Sequence, residues 1–218
     1  MTTRTDLSSQ LAVNVLNARS PLATPSVDGS LYTDVVDLAG RSPAWLDDGV
    51  AAWSTYGLLV FAAFMVAGWL RARHVGSAAA VKALAVPVIA VLAYGVDTLL
   101  KLLFREARPC QSLHSRTLEA CPAPGDWSFP SNHTAIAFAA AVALLFVSRR
   151  LGVVAAVAAC AMAASRVWVG VHYPHDVAAG ALVGAAVALL AMQVLRRSPD
   201  ALARRITATR LRPLLVAS

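Results

Sequence analysis

Five apolar stretches dominate this chain of 218 residues, at about 50–70, 78–103, 134–147, 151–169 and 177–195. In hydrocarbon no water satisfies a backbone N–H or C=O, so a crossing segment must hydrogen-bond within itself. Stretches of this kind therefore predict helices and leave little room for other secondary structure. About 20 helical residues cross the hydrocarbon core, so the third stretch is short and must draw on its flanks. Of all residues 58% are hydrophobic and 14% charged, against about 45–50% and about 25% in soluble domains. The expectation is an all-α polytopic membrane helix bundle with about five transmembrane spans, forming one domain over residues 31–197.

The ends are polar. Residues 1–30, broken by Pro21, Pro25 and Gly29, read as a flexible tail without the charged start and apolar run of a signal peptide. Leu31, Val35 and Leu38 recur at i, i+4, i+7, which predicts a short N-terminal interfacial helix with those residues on its apolar face. Residues 198–218 read as a basic C-terminal tail. Arginines follow the first span (Arg71, Arg73), separate the third from the fourth (Arg149, Arg150) and follow the fifth (Arg196, Arg197). By the positive-inside rule these places are cytoplasmic. The N-terminus, the loop 104–132 and the turn 169–176 are then outside. The net charge of +7 thus reports topology rather than nucleic-acid binding. Lys101, Arg105, Arg108, Arg116 and Arg166 fall on the disfavoured side, where chemistry or anion binding would account for them.

Three clusters bring polar residues to that side. In Lys101-Leu-Leu-Phe-Arg105-Glu-Ala-Arg108-Pro109, a continuing helix would align Lys101, Arg105 and Arg108 as a cationic stripe. Pro109 ends such a helix and biases Arg108 to an extended conformation. The stripe suits an anion, or snorkelling interfacial side chains. In Trp127-Ser-Phe-Pro130-Ser131-Asn132-His133-Thr134, Ser131 or Asn132 caps a helix whose free N–H groups suit phosphate, with His133 in its first turn. In Ser165-Arg166-Val-Trp-Val-Gly-Val-His172-Tyr-Pro174-His175-Asp176, Pro174 suits the first position of a helix. Asp176 then reaches back to His172, fixing its tautomer and leaving the other ring nitrogen nucleophilic. His175 points away and takes a headgroup-level role or none. A zinc reading of His133, His172, His175 and Asp176 lacks the spacing of known zinc motifs.

Together, Lys101…Arg108-Pro109, Pro130-Ser131-Asn132-His133 and Ser165-Arg166…His172…Asp176 resemble the type 2 phosphatidic-acid phosphatase superfamily of integral-membrane lipid phosphatases. The resemblance spans about residues 50–195, and its one departure is Asn132 where the family usually has Gly. It implies metal-independent hydrolysis without a cofactor. His172 would be the nucleophile, Asp176 its orienter and His133 the acid and base; Lys101, Arg108, Ser131, Asn132 and Arg166 would bind phosphate. Asp-Leu-Ala-Gly-Arg-Ser at 37–42 and Ser-Arg-Val-Trp-Val-Gly-Val-His-Tyr-Pro are similar to bacterial undecaprenyl-diphosphate phosphatases of the bacitracin-resistance type. A membrane lipid phosphate in a bacterial plasma membrane is the implied substrate, with phosphatidate or phosphatidylglycerol phosphate as the other class. Arg105 is the expected contact for a second phosphate. A vanadate-dependent peroxidase shares the pocket pattern but not the spans, and an anion channel would not need His172 and Asp176 at this spacing.

Cys110 and Cys121 both lie in the loop assigned to the outside, where a disulfide can form. A bridge would close about a dozen residues and contribute up to roughly 3 kcal/mol by restricting the unfolded chain. Two free thiols remain the alternative.

Overall fold

The computed structural model describes residues 28–113, 117–197, 199–210 and 212–216. The regular elements among them are all helical. They are α1 (Gly29–Ala39), α2 (Ala44–Val75), α3 (Ser77–Phe104), the one-turn α4 (Pro109–Ser112), α5 (Asn132–Leu145), α6 (Arg149–Trp168), α7 (Pro174–Leu195) and α8 (Pro199–Thr207). A 3-10 turn at Arg212–Leu214 closes the series. Four segments are long and apolar enough to cross a membrane: α2, α3 with its extension to Ser112, α6 and α7. The fifth expected span is α5, a shorter apolar helix of 14 residues. The protein is a multi-pass membrane helix bundle.

Helix α5 is the core. It packs against α3, α6 and α7, and Thr134, Ala135, Ala137, Ala139, Ala140, Ala141, Ala143 and Leu144 on it are buried. Its surroundings are protein rather than lipid, so its length is set by its neighbours and not by the hydrocarbon thickness. Bulky apolar side chains such as Leu59, Val88, Val91, Leu182, Leu190 and Val194 point outward instead. That inversion suits lipid, where close packing of small residues rather than exclusion of water joins helices.

The tightest approach is between α5 and α7. A Cβ on Gly180 would stand 2.5 Å from the Ser131 carbonyl oxygen, and one on Gly184 would stand 2.1 Å from that of Ala135. Two glycines one turn apart thus let the α7 backbone rest on α5. The Ser131 N–H donates to the Asp176 carbonyl at 3.0 Å, so the start of α5 is locked beside the start of α7. Gly170, with φ of +84°, ends α6 and turns the chain towards α7.

The two ends of the bundle differ. At one, Trp69 Nε1 donates to the Leu214 carbonyl at 2.8 Å, Arg73 to that of Val216 at 3.2 Å, and the Arg196 guanidinium lies 5.7 Å from the Phe146 ring centre. At the other, Trp168 Nε1 donates to Asp47 at 2.9 Å and the Tyr32 hydroxyl to the Gly170 carbonyl at 2.9 Å. The residues of all three motifs meet at this second end.

Two expectations need correction and one is met. The N-terminal interfacial helix forms as α1, with Leu31 and Leu38 exposed like the other outward apolar side chains and Tyr32 and Ala39 buried. The Tyr32 ring packs with Val167 and Tyr173, and its hydroxyl bond to Gly170 sets the helix rotation, which a Leu cannot do. Residues 198–218 are not simply a tail. Helix α8 folds back on α3, burying Ala203 and Leu215 with Ala80 and Val81, while Arg204 and Arg205 are exposed. The cationic stripe does not form, because α3 ends at Phe104 with Arg105 in the left-handed conformation, φ 49° and ψ 41°. The polar segment before Asp28, and Arg116, lie outside the described residues.

The α5–α7 contact gives a direct expectation. Gly184→Ala should lower the melting temperature in detergent by an amount equivalent to about 1–3 kcal/mol of overpacking. Gly95→Ala, where an added Cβ meets nothing within 4 Å, should leave it unchanged. Equal melting of the two variants would contradict the backbone contact.

Candidate active site

The turn between α6 and α7 delivers His172, which is 2% exposed. Tyr173, in extended conformation, is the N-cap of α7, with Pro174 as its first residue. One turn on, the Asp176 carboxylate reaches back: Oδ2 accepts from the Tyr173 N–H at 2.7 Å, from the Ser128 hydroxyl, and from His172 Nδ1 at 3.2 Å. The other ring nitrogen, Nε2, lies 3.1 Å from Arg108 Nη1. A guanidinium only donates, so Nε2 presents its lone pair and the proton resides on Nδ1, facing Asp176. Burial pushes the His172 pKa down to about 3, against the upward pull of Asp176. The ring is therefore neutral across the physiological range, with a nucleophilic nitrogen directed at a cation.

Arg108 is extended, with φ −69° and ψ 149°, as the following proline predicts. Its Nε donates to the Asp126 carbonyl at 2.9 Å, Nη2 to the Asp126 carboxylate at 2.9 Å and Nη1 to the Val171 carbonyl at 3.0 Å. Arg166, in the last turn of α6, donates from Nη1 to Ser54 on α2 and to Glu119 at 3.2 Å. Each arginine is thus held from behind by a carboxylate of the 105–131 segment. Lys101, 6% exposed, donates to the Trp127 and Ser128 carbonyls at 2.7 and 3.0 Å. Ser131 is the N-cap of α5, and Asn132 and His133 are half-buried in its first turn. The charges that act on His133 include Arg166, Glu119, Arg108 and Lys101. Arg166 Nε is buried without a hydrogen-bond partner in the described structure, so the site retains a donor for an anionic ligand. Three cations, a helix N-terminus and a directed imidazole suit a tetrahedral oxyanion such as a phosphoryl group.

The structure therefore gathers Lys101, Arg108, Ser131, Asn132, His133, Arg166, His172 and Asp176. It does not gather Arg105, which is exposed and whose Nε bonds the Leu102 carbonyl of its own helix at 3.0 Å. His175 is not idle: it contacts Asp28, Glu106 and Asp176. Among the described residues, Glu106, His175 and Asp176 have donor atoms close enough to share a cation, within 4.8 Å. His175 already lies against both carboxylates there.

Sequence reasoning missed Ser128, Asp126, Glu119 and Ser54, which hold the motif residues from loops and from α2 with no spacing rule to mark them. It also missed Asp97, fully buried one turn before Lys101 with neither carboxylate oxygen hydrogen-bonded in the described structure. The signal was available, since an acid inside an apolar span is functional by default.

Cys110 and Cys121 form a disulfide with Cα atoms 6.0 Å apart, fastening the start of α4, two residues after Arg108, to the segment that carries Asp126.

The Nδ1–H tautomer of His172 has a measurable consequence. ¹⁵N chemical shifts of His172 should show an Nδ1–H ring that does not titrate between pH 5 and 8. The unfolded chain takes up a proton here near pH 6.5 and the folded one only near 3, so stability should fall as the pH drops below about 6.5. A His172 titration near 6.5 would contradict the geometry.

Comparison with known proteins gives the family of the chain. Residues 82–200 match the model of the PAP2 superfamily. Undecaprenyl-diphosphatase BcrC of Bacillus subtilis is 30% identical over 150 residues, covering 66% of this chain and 72% of that protein. An undecaprenyl-diphosphatase of Sulfolobus acidocaldarius is 42% identical over 82 residues, covering 36% of this chain and 38% of that protein. The crystal structure of Aquifex aeolicus LpxE superimposes with a TM-score of 0.62 at 22% identity, covering 79% of this chain and 98% of that one, a likeness of fold. The family model, the long alignment and the three motifs converge: the chain belongs to the PAP2 superfamily, the type 2 phosphatidic-acid phosphatases that its sequence resembles.

Proposed function

We propose that this protein hydrolyses a lipid phosphate through a phosphohistidine, and that its substrate is undecaprenyl or a related polyprenyl diphosphate, released as the monophosphate. The observation that carries the reading is the arrangement of His172, with Asp176 on Nδ1 and Arg108 directed at Nε2. In the first step Nε2 attacks phosphorus. The N–P bond forms, the bond to the leaving oxygen breaks, and His133 gives that oxygen its proton. In the second, His133 takes a proton from water, whose oxygen attacks phosphorus and frees His172 with release of phosphate. Arg108, Arg166 and Lys101, with the N–H groups at the start of α5, hold the phosphoryl oxygens and offset the charge that grows in the transition state. Fixed cations take the part that metal ions play in many phosphoryl-transfer sites.

The polyprenyl choice rests on the similarity to undecaprenyl-diphosphatases. The site would lie on the extracytoplasmic face of the plasma membrane. Arg71, Arg73, Arg149, Arg150, Arg196 and Arg197 flank the opposite end of the bundle, and the positive-inside rule makes that end and the C-terminus cytoplasmic.

The test is phosphate release by purified protein from undecaprenyl diphosphate, phosphatidate and phosphatidylglycerol phosphate, compared as kcat/KM. The diphosphate should lead. His172→Ala should lower its turnover by about 10³-fold or more, and Asp176→Asn by about 10²–10⁴-fold through loss of the productive tautomer. Full activity of His172→Ala would defeat the mechanism, and preference for a glycerolipid would defeat the substrate assignment. Arg105→Ala should change mono- and diphosphate turnover alike, by less than about threefold, because its side chain is exposed and bonds the Leu102 carbonyl of its own helix; a selective loss on the diphosphate would restore Arg105 as a second-phosphate contact.

A further inference from the structure

His175 occupies the first turn of α7 beside the catalytic pair, at a junction of three carboxylates from three parts of the chain. Asp28, the N-cap of α1, accepts from the His175 backbone N–H at 2.7 Å and lies 2.9 Å from Nδ1. Glu106, in the segment after α3, lies 3.0 Å from Nε2. Asp176, its neighbour, places Oδ1 at 3.3 Å from Nε2. The ring stacks on Tyr173, 5.4 Å between centroids, and lies 5.7 Å from the tilted ring of Phe129.

A neutral imidazole has one N–H. With a carboxylate oxygen about 3 Å from each ring nitrogen, both must donate, and only the imidazolium does so. A positive charge is thereby placed among three negative ones. It acts on Asp176 in two ways. Directly, it faces Oδ1, the buried oxygen with no hydrogen bond, while Oδ2 serves His172. Indirectly, it fixes Glu106, whose main-chain carbonyl accepts the Ser128 N–H at 2.8 Å, and the Ser128 hydroxyl in turn bonds Asp176 Oδ2. His175, Glu106, Ser128 and Asp176 form a closed ring behind the nucleophile. Removing the imidazolium would leave the carboxylates of Asp28, Glu106 and Asp176 facing each other and free Asp176 to rotate away from His172.

We propose that His175, as an imidazolium held between Asp28 and Glu106, is a positioning residue that orients Asp176 and through it the tautomer of His172. Its kinetic consequence rests on the phosphohistidine reading above. The charged and titratable groups that face it are Asp28 from α1, Glu106 from the segment after α3, and Tyr173 and Asp176 beside it on α7.

The full-length protein in detergent supplies two independent readouts. In turnover of polyprenyl diphosphate, His175→Ala should lower kcat by about 10–100-fold with KM within about twofold, since His175 does not contact the phosphate pocket. The alkaline limb of the wild-type kcat profile that reports loss of the imidazolium should vanish in the variant. Glu106→Gln, a milder change that keeps the shape, should lower kcat in the same direction, and the double variant should be no worse than His175→Ala. In ¹⁵N spectra without substrate, His175→Ala should mix the Nε2–H tautomer into His172. Unchanged kcat, a loss confined to KM, a retained alkaline limb, or an unchanged His172 tautomer would each overturn the proposal. If wild-type protein releases phosphate from no lipid, the functional reading falls, and the ¹⁵N measurement still decides the role of His175.

Discussion

The structure depends on one buried carboxylate. Asp176 is fully enclosed, and a bare charge in such a place costs several kcal/mol unless donors surround it. Here the donors are the machinery itself: the Tyr173 N–H that starts α7, the Ser128 hydroxyl from the long loop and the His172 imidazole. Its main-chain carbonyl receives the Ser131 N–H, so the same residue anchors the N-terminus of α5. Satisfying Asp176 therefore places the second motif against the third. Arg108 joins through His172 and the Val171 carbonyl, which brings in the first.

That junction could not be held on loops alone. Gly180 and Gly184 let α7 lie on the backbone of α5, and the alanine-rich surface of α5 lets α3 and α6 close around it. In a bilayer, where association draws on contact rather than on water release, this small-residue core supplies the rigidity that the proposed nucleophile and acid would require. The lipid-facing helices can then vary in bulk without disturbing the spacing of His133, Arg166 and His172.

Much of this was legible in the sequence, for identifiable reasons. Apolar stretches long enough for a bilayer leave the backbone no choice but helix, so the element order followed from composition. The extended Arg108 before Pro109, the start of α7 at Pro174 and the His172–Asp176 pair are local effects of one to four residues, and spacing reports them well. What spacing could not report was long-range. Arg105 looked aligned with Lys101 only while the helix was assumed to continue, and the left-handed cap removes it from the face. The rotation of α1 is decided by a hydroxyl bond 138 residues away. Asp126 and Glu119 hold the arginines from loops with no periodicity. The spacing that turns His175 away from His172 could not reveal its partners, because Asp28 and Glu106 are 147 and 69 residues distant.

The central claim is that His172 Nε2 carries the phosphoryl group between substrate and water. The most direct measurement is the bond itself. Wild-type protein would be mixed with polyprenyl diphosphate, quenched within one turnover at high pH and digested for mass spectrometry and ³¹P–¹⁵N NMR. The account predicts an acid-labile phosphate on the His172 peptide, with phosphorus coupled to Nε2. Phosphate release at the normal single-turnover rate with no protein-bound phosphorus, or phosphorus on any other residue, would contradict it.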